Sequence, residues 1–254
     1  MVQCTKGDMY MLISVIIPMY NEEALIEQTV HRLLSLQFGE YDFELIFSDD
    51  GSQDDCAKIV KKIAQNHSNI HLIENKTNRG KGAAIREGVL LAKGDFILYT
   101  DCDLAYGTEQ MESIVKEAVA TDSDVLIGSR NLHPKGHDGV SSLRKLTSKM
   151  YMKLISWYTK CGVSDSQSGL KCFKGSVAKD IFSHCIVNRF AFDLEVLLLG
   201  KQFGYTISEF PVCIIHSDEE LNRNSKVHLI FDVIRMMKDV IKIKKRIKTI
   251  ERVE

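Results

Sequence analysis

Apolar residues follow two alternating periods along the chain. Ile13–Ile17 is a β-branched run closed by Pro18, and Glu22–Leu36 follows with apolar residues at helical spacing. The change of period then repeats. Glu44–Phe47 predicts a strand and Asp54–Ala64 a helix; Ile70–Glu74 a strand and Lys81–Ala92 a helix; Asp95–Thr100 a strand and Glu109–Ala120 a helix; Asp124–Ile127 is a fifth strand. Strands alternating with helices of about ten residues imply βαβ crossovers, hence an α/β domain whose mostly parallel sheet is covered by helices on both faces. Ligands of such sheets bind beyond the carboxyl ends of the strands.

Polar clusters fall where that rule asks for them. Asn21 and Glu22 follow the first strand, Asp49 and Asp50 the second, Asp101 and Asp103 the fourth, and Ser129 and Arg130 the fifth. Asp, Asn, Ser and Gly are also ordinary turn and N-cap residues. Four clusters converging on one edge nevertheless read as a site. Within it, Asp101-Cys102-Asp103 places two carboxylates at i, i+2, so that both reach forward as the chain leaves the sheet. Hard oxygen ligands of this kind suit Mg²⁺ or Mn²⁺, which also binds a diphosphate.

Composition narrows the classes further. With 44% hydrophobic residues, and 33 Lys and Arg against 34 Asp and Glu, the chain can bury a core and has no basic excess for nucleic acid. Seven scattered cysteines without a C-x-x-C pair read as reduced thiols of a cytosolic protein. The first twelve residues lack a signal-peptide core, and no apolar run reaches the roughly 18 residues of a membrane span. A nicotinamide enzyme would carry G-x-G-x-x-G where Pro18-Met19-Tyr20-Asn21 stands, and a P-loop would need Gly at Asn75.

Taken in order, Ser14–Glu23, Asp49–Asp54, Asn78-Arg79-Gly80-Lys81-Gly82 and Asp101-Cys102-Asp103 resemble the nucleotide-sugar half of an inverting family 2 glycosyltransferase of the GT-A, Rossmann-like fold. Gly128-Ser129-Arg130, Arg144 with Ser148, Asp165–Lys171, Phe192–Glu195 and Arg223–Lys226 resemble its polyprenyl-phosphate branch, which includes dolichyl-phosphate glucosyl- and mannosyltransferases. The resemblance implies that Pro18, Tyr20, Glu22, Asp50, Ser52 and Asp54 surround the nucleoside and that Lys81 lies near the donor. It implies that Asp103, helped by Asp101, carries the metal. Arg130, Arg144 and Ser148 match positions facing a lipid phosphate, Gln167 lines the acceptor side, and Arg223, Ser225 and Lys226 match a loop closing on the phosphates. Ala105 replaces the mannose-synthase Gln, and the Asn78–Gly82 turn is closer to that of the glucosyltransferases, so UDP-glucose or a related UDP-hexose is the implied donor.

A phosphate nucleophile is already anionic at neutral pH and needs positioned cations, whereas an alcohol needs a general base. Arg130 and Arg144 favour the phosphate; Asp193 and Glu195 leave open a saccharide hydroxyl with Asp193 as base. A silent nucleotide-sugar-binding module is the third reading. Residues 1–230 are expected to form the transferase domain and 231–254 a basic amphipathic helix, with seven basic residues between Lys238 and Arg252 against Asp239 and Glu251. That helix is expected either to lie on an anionic membrane or to pack on the domain with a solvated basic face; an oligomer or membrane-protein contact is a further use. The expected location is peripheral, on the cytoplasmic face of a membrane.

Overall fold

Side-chain alternation along the first strand explains how one chain segment supports two cores. In β1 (Leu12–Met19), Ile13, Val15, Ile17 and Met19 enter one core and Ile16 the other, all essentially without solvent contact. A strand buried on both faces needs this near-continuous apolar run. The computed structural model describes residues 11–136, 162–215, 239–247 and 249–250.

The elements alternate as the periods predict: α1 (Glu23–Leu34), β2 (Asp42–Asp49), α2 (Cys56–Ala64), β3 (Ile70–Glu74), α3 (Lys81–Leu91), β4 (Phe96–Tyr99), α4 (Gly107–Thr121) and β5 (Val125–Ser129). A 3₁₀ turn, Arg130–Leu132, follows β5. Then come β6 (Lys171–Lys174), α5 (Gly175–Ser183), α6 (Phe192–Gln202), β7 (Ile207–Pro211) and a helix over 239–247, here α7. The seven strands form one sheet in the order β3-β2-β1-β4-β6-β5-β7. Only β6 runs against its neighbours β4 and β5. Helices α1, α2 and α4 cover one face through Ile26, Val30, Val60, Met111 and Ile114. Helices α3, α5, α6 and α7 cover the other through Ile85, Val89, Ile181, Phe182, Val196 and Val240.

One sequence expectation changes, and of two alternatives left open for the C-terminal stretch one is observed over its described part. The first strand does not stop before Pro18 but runs through it to Met19. β1 pairs with β4 only from Ile13↔Phe96 to Ile16↔Tyr99, while its pairing with β2 continues to Met19↔Asp49. The Ile16 carbonyl accepts the Thr100 amide at 3.1 Å, so Pro18, two residues on, faces the side that β4 has already left, and its missing N–H is not required there. The C-terminal basic stretch, over its described part, is a packed helix. Val240 and Ile243 are buried, Ile247 packs against the same core, and Ile241 points outward. The stripe that could have entered lipid is used on the protein.

At the amino-terminal edge of the sheet a polar cluster closes the structure. Glu44 is buried in β2; its Oε1 accepts Ser14 Oγ at 2.6 Å and the Lys93 amide at 2.7 Å, and Ser14 Oγ accepts the Gly94 amide at 2.8 Å. A carboxylate survives there because each bond is satisfied. Glu44→Ala is expected to cost about 1–3 kcal/mol by stranding the Lys93 amide. Urea unfolding measures the loss, and unchanged nucleotide binding shows that this edge is remote from the site.

Candidate active site

Parallel strands finish together, and the reversal of β6 brings its first residue to the same edge. Lys171 pairs in register with Tyr99 of β4 and Ile127 of β5. Helix α6 also opens here, with Asp193 in its first turn, where the helix dipole favours an acid. The edge therefore collects residues far apart in sequence.

On the donor side, β1 leaves the sheet at Asn21, held at φ 53°. Its amide donates to Ser52 Oγ at 2.9 Å and its Oδ1 accepts the Gln53 amide at 2.8 Å, which ties the first turn to the second. Ser52 Oγ in turn donates to Asp49. Asp54 Oδ2 accepts the Glu23 amide at 2.9 Å. Burial pushes the Asp54 carboxyl up, but the hydrogen bonds from Cys56 and Glu23 outweigh it and hold the group below its ordinary range. Tyr20 and Glu22 are partly exposed and Pro18 is buried in β1. Asp50 is buried, and its oxygens accept the Arg79 and Gly80 amides at 2.8 and 2.7 Å. Those bonds draw the Asn78–Gly82 turn over the end of β2. Gly80 is needed there, because it sits at φ 110° and a Cβ would come within 2.5 Å of the Asn188 carbonyl oxygen.

Beyond β4, Cys102 is buried while Asp103 is exposed and Asp101 partly so. Leu104 turns the chain in the left-handed region at φ 48°, and the Ala105 amide donates to Asp103 Oδ1 at 3.1 Å. Asp101 Oδ1 pairs with Lys81 Nζ at the start of α3. Burial works against the Lys81 ammonium, but Asp101 and Asp193 prevail and raise its pKa. On the far side of Asp101, a Cβ on Gly169 would overlap Oδ2, so the 165–170 segment approaches this carboxylate only because that residue is glycine. The donor set of Asp101 and Asp103 suits a hard cation. Among the described residues no group of three or more His, Cys, Asp or Glu side chains gathers to hold a metal unaided. Such an ion would complete its shell with oxygens of a bound diphosphate.

On the opposite side, Arg130 is held in a fork by Asp165: Nε to Oδ2 at 2.7 Å and Nη2 to Oδ1 at 2.9 Å. Burial raises the Asp165 carboxyl pKa, yet the Arg130 guanidinium more than reverses it, and the group stays ionised. Nη1 takes no part in this fork. Gln167 is partly exposed in the same segment, whose next residue, Ser168, donates to the Tyr106 hydroxyl at 3.2 Å. Beneath it lies Lys171, with no solvent contact, its Nζ donating to the Ser168 carbonyl and to Asp193 Oδ1, both at 2.5 Å. The Tyr99 hydroxyl donates to the same Asp193 oxygen at 2.6 Å. Burial lowers the Lys171 ammonium pKa against the pull of Asp193.

The expected pair Asp193 and Glu195 thus separates. Asp193 faces the edge but carries Lys171 and Tyr99, whereas Glu195 turns away to accept the Ile186 and Val187 amides at 3.0 and 2.8 Å and Arg246 at 3.0 Å. From the sequence, Asp165 and Lys171 stand only as the ends of a motif segment with no role or partner of their own, and Tyr99 is not singled out. A lysine opening an apolar strand was the available signal for Lys171; the 35-residue gap between Arg130 and Asp165 offered none. Arg144, Ser148, Arg223, Ser225 and Lys226 lie outside the described residues.

Residues 14–182 match the family described as glycosyl transferase family 2. A dolichyl-phosphate beta-glucosyltransferase of Dictyostelium discoideum is 33% identical over 250 residues, covering 92% of this chain and 74% of that protein. Its counterpart in Saccharomyces cerevisiae is 30% identical over 256 residues, covering 93% and 75%. Among solved structures, glucosyl-3-phosphoglycerate synthase from Mycobacterium tuberculosis, in complex with Mn²⁺, UDP-glucose and phosphoglyceric acid, superposes with a TM-score of 0.67 at 18% identity, covering 95% of this chain and 81% of that one. Mannosyl-3-phosphoglycerate synthase from Rubrobacter xylanophilus gives 0.64 at 17% identity, with 93% and 73% covered. At such identities the structures speak for the fold alone, which is GT-A. With the family pattern spanning most of its sheet and strand-end acids, the chain belongs to glycosyltransferase family 2.

Proposed function

We propose that the chain is an inverting hexosyltransferase that moves glucose, from UDP-glucose or a related UDP-hexose, to the phosphate of dolichol or a similar polyprenol. The observation that carries this reading is the state of the two groups facing the acceptor side. Arg130 is locked in the orientation that grips an oxyanion, and Asp193, the candidate base, already accepts from Lys171 and Tyr99. A phosphate acceptor needs the first and not the second. The names of the dolichyl-phosphate relatives agree with it.

In a single in-line displacement the acceptor oxygen attacks the anomeric carbon opposite the diphosphate, the bond to the diphosphate breaks, and configuration inverts. Arg130, braced by Asp165, presents Nη1 to the acceptor phosphate on that line as a charge-assisted hydrogen-bond donor. Lys81 exchanges Asp101 for the donor phosphates, which meet the positive end of α3. Asp50 keeps the turn that carries Lys81 in place. When bound, Mg²⁺ or Mn²⁺ supplies neutralisation of the charge on the departing diphosphate, and Asp103 with Asp101 would hold it; structures of the same fold were solved with Mn²⁺ and UDP. A lipid-linked acceptor sets the reaction at a membrane, with the chain docked peripherally on the cytoplasmic face. No helix among the described residues is long and apolar enough to cross one.

The direct test is transfer from UDP-glucose to a short-chain polyprenyl phosphate. Turnover is expected, and Arg130→Lys is expected to raise KM for the polyprenyl phosphate about tenfold or more while moving that for UDP-glucose little, because lysine cannot keep the Asp165 fork and still present a donor to the phosphate. Equal rises would put Arg130 on the donor side; glucosylation of a saccharide instead of the phosphate would establish the hydroxyl acceptor.

Asp103→Ala should keep the fold, being exposed, and lose about 10²–10³-fold in kcat, with EDTA producing a comparable loss in the unaltered chain. Undiminished turnover in EDTA would remove the metal from the mechanism.

Asp193→Asn separates strut from base. It should destabilise by about 3–5 kcal/mol in urea unfolding by leaving Lys171 unpaired, with the pH profile of kcat for polyprenyl phosphate unchanged. A general base would instead cost about 10²–10⁴-fold in kcat and remove a limb of that profile.

A further inference from the structure

Large apolar side chains left exposed on the described residues are not evenly spread. Leu90 and Leu91 lie at the far end of α3 and Ile241 on α7, but Leu132, Ile186, Phe190 and Ile215 all sit at the edge where the parallel strands end. Ile186 and Phe190 are the two on the loop between α5 and α6, with relative exposures of 57% and 43%, and Arg189 stands exposed between them.

Behind this loop, against α7, is a cleft of about 520 Å³ lined by Arg79, Ile186, Asn188, Arg189, Lys242 and Arg246, together with the acids Glu195 and Asp239. Its charges are unevenly committed. Arg246 is spent on Glu195 and the His184 carbonyl, and Arg79 on Glu87 and Asn75. Glu195 has both oxygens occupied by Arg246 and the two loop amides. Arg189 and Lys242 have no ion pair among the described residues, and Asp239 is the remaining charged residue of the lining without one. The cleft is therefore net positive.

The loop that bears the apolar tips is also held firmly. Arg86 donates to the Cys185 carbonyl at 3.1 Å and to Asn188 Oδ1 at 2.9 Å, and the Ala83 amide donates to the Asn188 carbonyl at 3.1 Å. Rigid apolar side chains beside uncommitted cations match a bilayer interface, where the former reach the acyl boundary and the latter meet lipid phosphates. An acidic protein would satisfy the cations but would leave Ile186 and Phe190 without a reason to protrude.

We propose that this cleft is a headgroup site for an anionic phospholipid, with the lipid phosphate between Arg189 and Lys242 and with Ile186 and Phe190 inserted beside it. Docked this way, the mouth of the transfer site faces the membrane that carries its acceptor. The proposal rests on the polyprenyl-phosphate reading for its purpose, though not for its chemistry. The Asn188 carbonyl that braces the loop also receives the start of α3, two residues from Lys81, so the docking loop and the donor turn share a wall.

The test uses the full chain, with vesicles of phosphatidylcholine alone or containing phosphatidylserine, in a sedimentation assay. A parallel vesicle-free assay follows glucose transfer to a water-soluble short-chain polyprenyl phosphate. The chain is expected to partition onto the phosphatidylserine vesicles and only weakly onto phosphatidylcholine. Arg189→Glu combined with Lys242→Glu should weaken partitioning by about tenfold or more, with thermal unfolding and vesicle-free turnover unchanged. Phe190→Ser should weaken it severalfold while keeping the salt dependence of the unaltered chain. Equal partitioning of the chain and both variants, or no preference for phosphatidylserine, would overturn the proposal. So would loss of vesicle-free turnover in step with partitioning, which would make the cleft part of the substrate site. Phosphatidylserine selectivity without any transfer to polyprenyl phosphate would instead overturn the proposed acceptor and leave the docking surface standing.

Discussion

The ammonium of Lys171 is buried where three parts of the fold meet, and the candidate site depends on that position. It enters on the one antiparallel strand among the described residues, between β4 and β5, and holds Asp193 of α6 and the carbonyl of Ser168. Tyr99 of β4 completes the contact by donating to the same carboxylate oxygen and lying with its ring centroid 5.4 Å from the ammonium. Charges at this depth persist only when paired and hydrogen-bonded. Through Ser168 the pair sets the 165–170 segment, and that segment places Gly169 against Asp101 and Asp165 against Arg130. A strand reversal that looks like an irregularity of the sheet thus aligns the donor and acceptor sides.

The rest of the edge follows the same charge logic. Lys81 holds Asp101, Asp165 holds Arg130, and Asp50 holds two backbone amides. Each cation is pre-positioned by a carboxylate, so little side-chain entropy remains to be lost when an anionic ligand arrives. The pairs differ in how they release. Asp165 is almost wholly buried and forked to its arginine, which makes it a permanent brace, whereas Lys81–Asp101 joins two partly exposed side chains that a diphosphate and a cation can separate.

The two edges of the sheet show how position decides the use of a buried acid. Glu44 at the amino-terminal edge closes a turn and meets no ligand-binding group. Its counterparts at the carboxyl-terminal edge stand where the strand ends open toward solvent, beside a loop that exposes Ile186 and Phe190. Buried acids brace both ends, but only those at the carboxyl-terminal edge stand beside groups open to a ligand, as parallel α/β sheets generally arrange it.

Local periodicity was sufficient for the first five strands and four helices, since their apolar repeats and turn residues are set within a dozen positions of each other. It also placed Asn21, Asp50, Asp101 and Asp103 at one edge of the sheet, because each stands next to the strand that presents it. After Ser129 the same reading weakened. β6 is four residues long, carries lysines at both ends and pairs antiparallel with strands 44 to 78 positions earlier, so nothing local announces it. The inward turn of Lys171, the fork between Arg130 and Asp165, and the withdrawal of Glu195 to the 186–187 amides are long-range pairings that exist only once helices and strands have packed. Pro18 shows the limit in one residue. Its sequence signal is a strand end, but which neighbour its missing N–H faces, and therefore whether the strand can continue, is decided by where β4 stops. The sequence by itself determined the alternation of elements and the acids at their ends; the tertiary structure alone decided which charges meet, because burial and distance, not residue type, select the partner.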